Sequence, residues 1–246
     1  MPVVIRNARC FVAGFSASAD AVRKAIAPTG LQPMILNPRS LDPRRFLQPR
    51  TMAMLVFVQY IDGDLGPYHE FGVCFLVNDP DQPQATPLQS IRSLAKSDAR
   101  ALIHHLPVDG DFTLAAGRGI WGFPKTIAEF DVDHDSSRKH GAVRQDGHEI
   151  VDLTLAPGIP VPDQGGEATL QAYSYLDGVT RRTPWRLTET SGVRTRIGGA
   201  KLTLGSHPIA DELRTLDLSK HALMTSSVGK LQMEFQDATV LSPSKV

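Results

Sequence analysis

The stretch Gly117-Arg118-Gly119-Ile120-Trp121-Gly122-Phe123-Pro124-Lys125 puts one lysine at the end of a run of glycine, aromatic and proline residues. A solvated lysine titrates near ~10.4, so roughly one molecule in 2500 carries a free amine at neutral pH. Desolvation disfavours the ammonium form and lowers a lysine pKa by up to ~3–5 units. Buried against Trp121, Phe123 and Pro124, Lys125 would be a nucleophile able to form an imine with a ketone. The bland alternative is a surface lysine after a turn, because lysines are mostly exposed. The deciding expectation is an amine that titrates at least ~2 pH units below the ordinary value because it is kept dry.

Other polar residues group around this one. Glu70 follows Tyr68 and His69 at the end of a turn. A carboxylate between two apolar strands needs a partner or a raised pKa, so Glu70 either orients substrate and shuttles a proton or pairs with an arginine to brace the fold. Arg118 has three open roles: binding a substrate carboxylate through its guanidinium fork, pairing with Glu70, or capping the short helix before it. Trp121 and Phe123 line a pocket or pack in the core. His104 and His105 on a strand are expected on opposite faces, as ordinary surface or core histidines. In Asp131-Val132-Asp133-His134-Asp135, alternation puts the acids on one face and His134 on the other, which argues for a solvated sheet face over a metal site. No phosphate loop, dinucleotide-binding strand–turn–helix, nucleophile elbow or H-E-x-x-H occurs.

The elements that must position these residues are mostly strands. Cys10 to Phe15 reads as a short strand, and Asp20 to Ala27 as a short helix capped by Asp20. Pro33, Pro38, Pro43 and Pro49 mark an irregular connection. Thr51 to Ile61 is almost unbroken apolar sequence, a strand buried on both faces. It pairs with Phe71 to Val77 across the turn residues Asp62 to Pro67. Asp79 to Pro87 is a proline-rich loop, Arg100 to Val108 a strand, and Gly110 to Gly117 a short helix leading to Lys125. Period-two alternation follows from Ile127 to His134. A hairpin turns at Asp146-Gly147 between Ala142–Gln145 and His148–Leu155. Strands are expected at Leu170–Leu176, Ser191–Leu204 and Leu231–Leu241, a loop at Asp163–Glu167, and a helix at Pro208–Leu216. The fold class is therefore mainly β: an antiparallel sheet curled into a barrel or cone, with a few short helices at its edge, in one domain over residues 1–246.

Bulk numbers exclude other classes. The 246 residues carry 26 Lys plus Arg against 26 Asp plus Glu, and zero net charge argues against nucleic acid or an anionic membrane as partner. No apolar run approaches the ~18 residues of a membrane helix. Arg6 and Arg9 precede the apolar stretch Cys10–Phe15, which is shorter than the ~7–15 residues of a secretory segment. Cys10 and Cys74 match no zinc spacing. They are expected to be small buried hydrophobes in a reducing, cytoplasmic setting.

Four segments in register resemble the acetoacetate decarboxylase family: Ala21-Val22-Arg23-Lys24 with Pro28, Gly66-Pro67-Tyr68-His69-Glu70, Gly117-Arg118 through Phe123-Pro124-Lys125, and Gly205-Ser206-His207-Pro208-Ile209-Ala210-Asp211. Together they span nearly the whole chain. The resemblance implies a large, mostly antiparallel β-barrel that self-associates. It also implies a cofactor-independent carboxy-lyase acting on a β-keto acid through a lysine Schiff base. Lys125 matches the imine-forming lysine and Glu70 an active-site glutamate; Arg118, Trp121, Phe123 and Tyr68 are read as substrate-binding residues around them. The family's amine is itself a standard example of a lysine activated by desolvation or a cationic neighbour. The chain departs from the pattern at Thr126, where the family has a second lysine, at Gly119, near Ala8 and at Met54-Leu55. These departures leave open aldol or dehydration chemistry on pyruvate-like substrates, and a non-catalytic barrel that binds a small keto compound.

Overall fold

Arg50–Gly63 (β2) is rich in β-branched and aromatic residues, and both of its faces are apolar. Alternation sends Ala53, Leu55 and Phe57 into one core, while Met54, Val56 and Val58 face the other side. A strand flanked on both sides this way sits at the centre of the architecture. It is described here from a computed structural model covering residues 2–36, 48–82, 100–162 and 167–241. Pro38, Pro43, most of the loop after Asp79 and Asp163–Gly166 lie outside the described residues.

In chain order the strands are β1 (Val3–Ser18), β2, β3 (Tyr68–Leu76), β4 (Arg100–Val108), β5 (Lys125–Ile127), β6 (Glu129–Asp133), β7 (Lys139–Gln145) and β8 (His148–Leu155), followed by β9 (Ile159–Pro160), β10 (Ala168–Leu176), β11 (Val179–Ser191), β12 (Arg194–Ile197), β13 (Ala200–Leu204), β14 (Met224–Phe235) and β15 (Thr239–Val240). The α-helices are α1 (Ala19–Ala25), α2 (Asp111–Ala116) and α3 (Pro208–Thr215). Strands β11-β10-β4-β3-β2-β1-β14 run in that order, and the β11–β14 pairing closes them into a barrel. Most neighbours are antiparallel; β10 and β5 each lie parallel to β4. A second sheet, β13-β8-β7-β6, packs with α1 and α3 on the outer face of β1–β3, where Phe57 and Phe71 meet Val143, Ile150 and Leu153. The mainly β barrel expected from the sequence is the one observed.

Three expectations change. Ser191–Leu204 is not one strand, because Gly192, Gly198 and Gly199 take positive φ and break it into the ends of β11, β12 and β13. The 13-residue β11 was missed, since its arginines, threonines and glutamate hide the apolar period. Ser18, not Asp20, caps α1, its hydroxyl accepting from the Ala21 amide.

A fourth change bears on the site. Val73 pairs with His105 but Cys74 pairs with Ile103, so β4 carries one extra residue at His104. Such a bulge puts two successive side chains on one face. His104 and His105 therefore do not point apart: their Nε2 atoms reach the two carboxylate oxygens of Glu212 on α3, at 2.5 and 3.1 Å. Partial burial pushes Glu212 upward, but the two imidazole contacts outweigh it and hold the carboxyl well below its usual range. The bulge also switches the parity of β4, so that Ala101 and Ile103 face the barrel interior before it and Leu106 after it.

As expected, Asp131 and Asp133 are exposed and His134 is turned in. Its ring lies 5.0 Å from that of Phe11, and its Nε2 is buried without a hydrogen-bond partner. Burial, reinforced by Arg9, His69 and Lys139, pushes its pKa down to about 3, with Asp135 opposing. The unfolded chain takes up this proton near ~6.5, so between about 6.5 and 3 it binds more protons than the folded chain. Stability should be unaffected by this group above that window and fall within it by at most about 1.4 kcal/mol per pH unit. Urea unfolding at pH 7.5 and 5.0 should show a smaller acid loss for His134→Phe than for wild type; equal losses would refute the assignment.

Candidate active site

Lys125 opens β5, whose register against β4 sets it beside Leu106. The segment before it is not simply helical. α2 is followed by a π-type turn, Gly117–Trp121, closed by Gly122 at φ 62. This turn folds Lys125 back over its own helix, and its stem lies against Gly117. A Cβ at residue 117 would stand 2.6 Å from both Cδ and Cε of Lys125. Glycine is needed there for space, since its φ of −62 would suit alanine. Gly117→Ala is expected to displace the amine and lower kcat by ~10²-fold or more, with a stability loss of about 1–3 kcal/mol from overpacking. Steady-state rates and urea melts check it; an unchanged kcat would show that the stem has room.

The amine itself is enclosed. Lys125 is 2% exposed and Glu70 5%. Lys125 Nζ lies 2.9 Å from Glu70 Oε2, donates to Thr113 Oγ1 at 2.7 Å, and sits 4.8 Å above the Tyr68 ring. The other Glu70 oxygen accepts from the Tyr60 hydroxyl at 3.0 Å. Tyr60 and Tyr68 stack at 4.2 Å, paired across β2 and β3. Burial first, then the Glu70 charge, pushes both phenols well above their ordinary pKa, so they stay neutral. The result is a dry cluster of amine, carboxylate and three hydroxyls.

Glu70 and Tyr60 also border a cavity of about 320 Å³ in the barrel lumen, to which all seven barrel strands contribute. Cys10 and Cys74 face it, and desolvation pushes both thiols up to about 12. They are free thiols within an apolar lining.

The six residues read from the sequence separate into two groups. Lys125, Glu70 and Tyr68 come together. Arg118 does not enter the lumen; it is exposed, and its Nη1 holds the Lys125 carbonyl at 3.2 Å, bracing the turn. Glu70, the partner proposed for it, is taken by Lys125 and Tyr60. Trp121 and Phe123 are buried but do not line the cavity. They stack on each other, with Trp121 against Phe235 and its Nε1 on the Gln236 carbonyl. They wall the turn that carries Lys125. Thr126 points away toward Gln145 Oε1 at 3.1 Å, as alternation along a strand requires.

Thr113 and Tyr60 were missed. Thr113 stands four residues before Gly117, on the same helical face. Tyr60 carries the single hydroxyl at the end of the apolar β2 run. Both are signals that only contact with Lys125 and Glu70 makes meaningful.

A closed, mainly antiparallel β-barrel with a buried lysine–glutamate pair at its lumen defines the class of site. The sequence model described as acetoacetate decarboxylase matches residues 1–242, and the chain belongs to this family. No curated protein sequence matches significantly. Solved structures share the fold. The acetoacetate decarboxylase from Legionella pneumophila is 17% identical at TM-score 0.65, covering 98% of this chain and 88% of its own. An acetoacetate decarboxylase-like enzyme from Sphingomonas wittichii RW1 is 13% identical at TM-score 0.59, with coverages of 96% and 91%. The enduracididine biosynthesis enzyme MppR, solved with pyruvate, is 16% identical at TM-score 0.58, with coverages of 99% and 91%. Among the described residues no helix is long and apolar enough to cross a membrane.

Proposed function

We propose that this protein decarboxylates a β-keto acid through an imine on Lys125, with no cofactor. The observation that carries the reading is the enclosed amine, 2.9 Å from a buried carboxylate beside an apolar hollow. Glu70 Oε2 accepts the amine proton, and Nζ adds to the ketone carbon with loss of water. The imine nitrogen is protonated, and the bond to the carboxylate carbon breaks, leaving carbon dioxide and an enamine. A proton then adds to the enamine carbon, with Glu70 as the nearest acid, and water releases the ketone. The cationic imine is the electron sink, so its charge is neutralised as the bond breaks. A low-dielectric lumen favours a step that removes charge.

The aldol reading on pyruvate rests on MppR, whose structures include pyruvate and its condensation product with imidazole 4-carboxaldehyde. A pyruvate carboxylate would survive the whole reaction and need a lasting cationic partner. Among the described residues no Lys or Arg lines the lumen, which favours the substrate whose carboxylate leaves.

The test is reduction with borohydride in the presence of acetoacetate or pyruvate, with peptide mass analysis and a carbon dioxide assay. An adduct on Lys125 together with carbon dioxide release is expected. Adduct without gas release would favour aldol chemistry, and binding with no adduct a carrier.

A further inference from the structure

Resting on the imine reading above, we infer that the substrate is a β-keto acid with a long apolar tail, of about seven to nine carbons beyond the keto carbon, and that acetoacetate is a poor substrate by comparison. Three observations carry this.

The first is length. Met54, Val56, Val58 and Tyr60 all line the cavity along one face of β2. Val58 is paired with Glu70, so the lumen continues from the level of the amine to Met54, four residues on. At ~3.3 Å per residue this is about 13 Å. An extended chain advances roughly 1.2 Å per bond, a third of the reach of one residue, so about eleven bonds span the stretch and a tail of seven to nine carbons fits within it.

The second is volume. A cavity of about 320 Å³ lies at the low end of the ~300–1,000 Å³ range of small-molecule pockets. It is roughly ten times the ~30 Å³ share of one water in the liquid. A four-carbon acid would leave most of it unfilled.

The third is chemistry. Beyond Glu70 and Tyr60 the walls are methyl, methylene, thiol and ring surfaces, among them Met54, Ile103, Leu170 and Leu187; among the described residues Gln171 and Thr190 are the only other side chains bearing nitrogen-, carbonyl- or hydroxyl-type polar groups apart from the Trp185 indole. A carbohydrate, phosphate or polar amino-acid tail would find too few partners there, whereas an alkyl chain needs none. Met54 and the thiols suit such a chain, because sulfur side chains adapt to irregular apolar shapes. The reaction is R–CO–CH2–COO⁻ plus a proton giving R–CO–CH3 and carbon dioxide, so the product is a methyl ketone. Nothing is oxidised, and no co-reactant is required.

The experiment measures kcat/KM for carbon dioxide release, after subtraction of the spontaneous rate, with 3-oxo acids of 4, 6, 8, 10 and 12 carbons. Each buried methylene favours binding by about fourfold, so the 10-carbon acid should exceed acetoacetate by at least ~10²-fold. Val56→Phe, and independently Leu187→Phe, should each cut the 10-carbon to 4-carbon ratio by ~10-fold or more through lost volume, with circular dichroism and melting curves confirming the fold. A flat or falling profile in wild type, with acetoacetate still trapped on Lys125, overturns the tail and leaves the imine reading intact. No adduct and no gas release with any member overturns both.

Discussion

Lys125→Met should abolish borohydride-trapped adduct and lower turnover by ~10⁴-fold or more, the order seen when an enzyme's covalent nucleophile is removed. The argument is positional. Among the described residues no lysine lines the cavity and Lys125 is the amine paired with Glu70 at its edge, so no neighbouring amine can substitute. Methionine is close to lysine in length and apolar, so it keeps contact with Gly117 and Tyr68 while removing the amine. The assay is single-turnover gas release with mass analysis in parallel. Residual turnover within ~10-fold of wild type would mean that the chemistry does not pass through this residue.

The second large effect concerns stability. Lys125 and Glu70 are 2% and 5% exposed and 2.9 Å apart. Removing one member leaves the other's charge buried without its partner, at a cost of about 3–5 kcal/mol. Thr113 and Tyr60 hydrogen bonds soften this without replacing a counter-charge. Glu70→Leu and Lys125→Met should each lose about that much. The double variant Glu70→Leu/Lys125→Met should return to within about 1–2 kcal/mol of wild type, because an apolar pair suits an apolar lumen. Urea unfolding of the four proteins completes the cycle. Strictly additive losses would mean that the two side chains do not act as a pair. The pair exists for chemistry on this view, since hydrophobic residues would hold the barrel as well.

Much of the site's chemistry was readable from residue types. A lysine after glycines, aromatics and a proline signals an unusual amine, and Glu70 after its turn signals a carboxylate between apolar strands. The long run in β2 announced a strand with no wet face, and its two apolar faces are the barrel lumen and the outer core. The β11 strand was hidden because it carries four charged residues within Val179–Ser191. Its polar positions are only partly covered, and one-dimensional patterning registers them as loop.

His104 and His105 show the harder limit. Adjacent residues in a regular strand face apart, and nothing local announces an inserted residue. The bulge arises from how β3 and β4 pair, and its consequences are reversed parity and a shared Glu212. Arg118 fails for a related reason: its charge suggested the substrate, yet a π-type turn aims it at a backbone carbonyl outside the lumen.

The sequence alone determined most of the strands and singled out the amine and the carboxylate, because alternation and side-chain chemistry are local properties. Tertiary structure decided the partners of the amine, the turn that folds Lys125 over Gly117, and the length of the hollow beside it. Those follow from register and closure across strands far apart in the chain, and no local pattern encodes a distance between them.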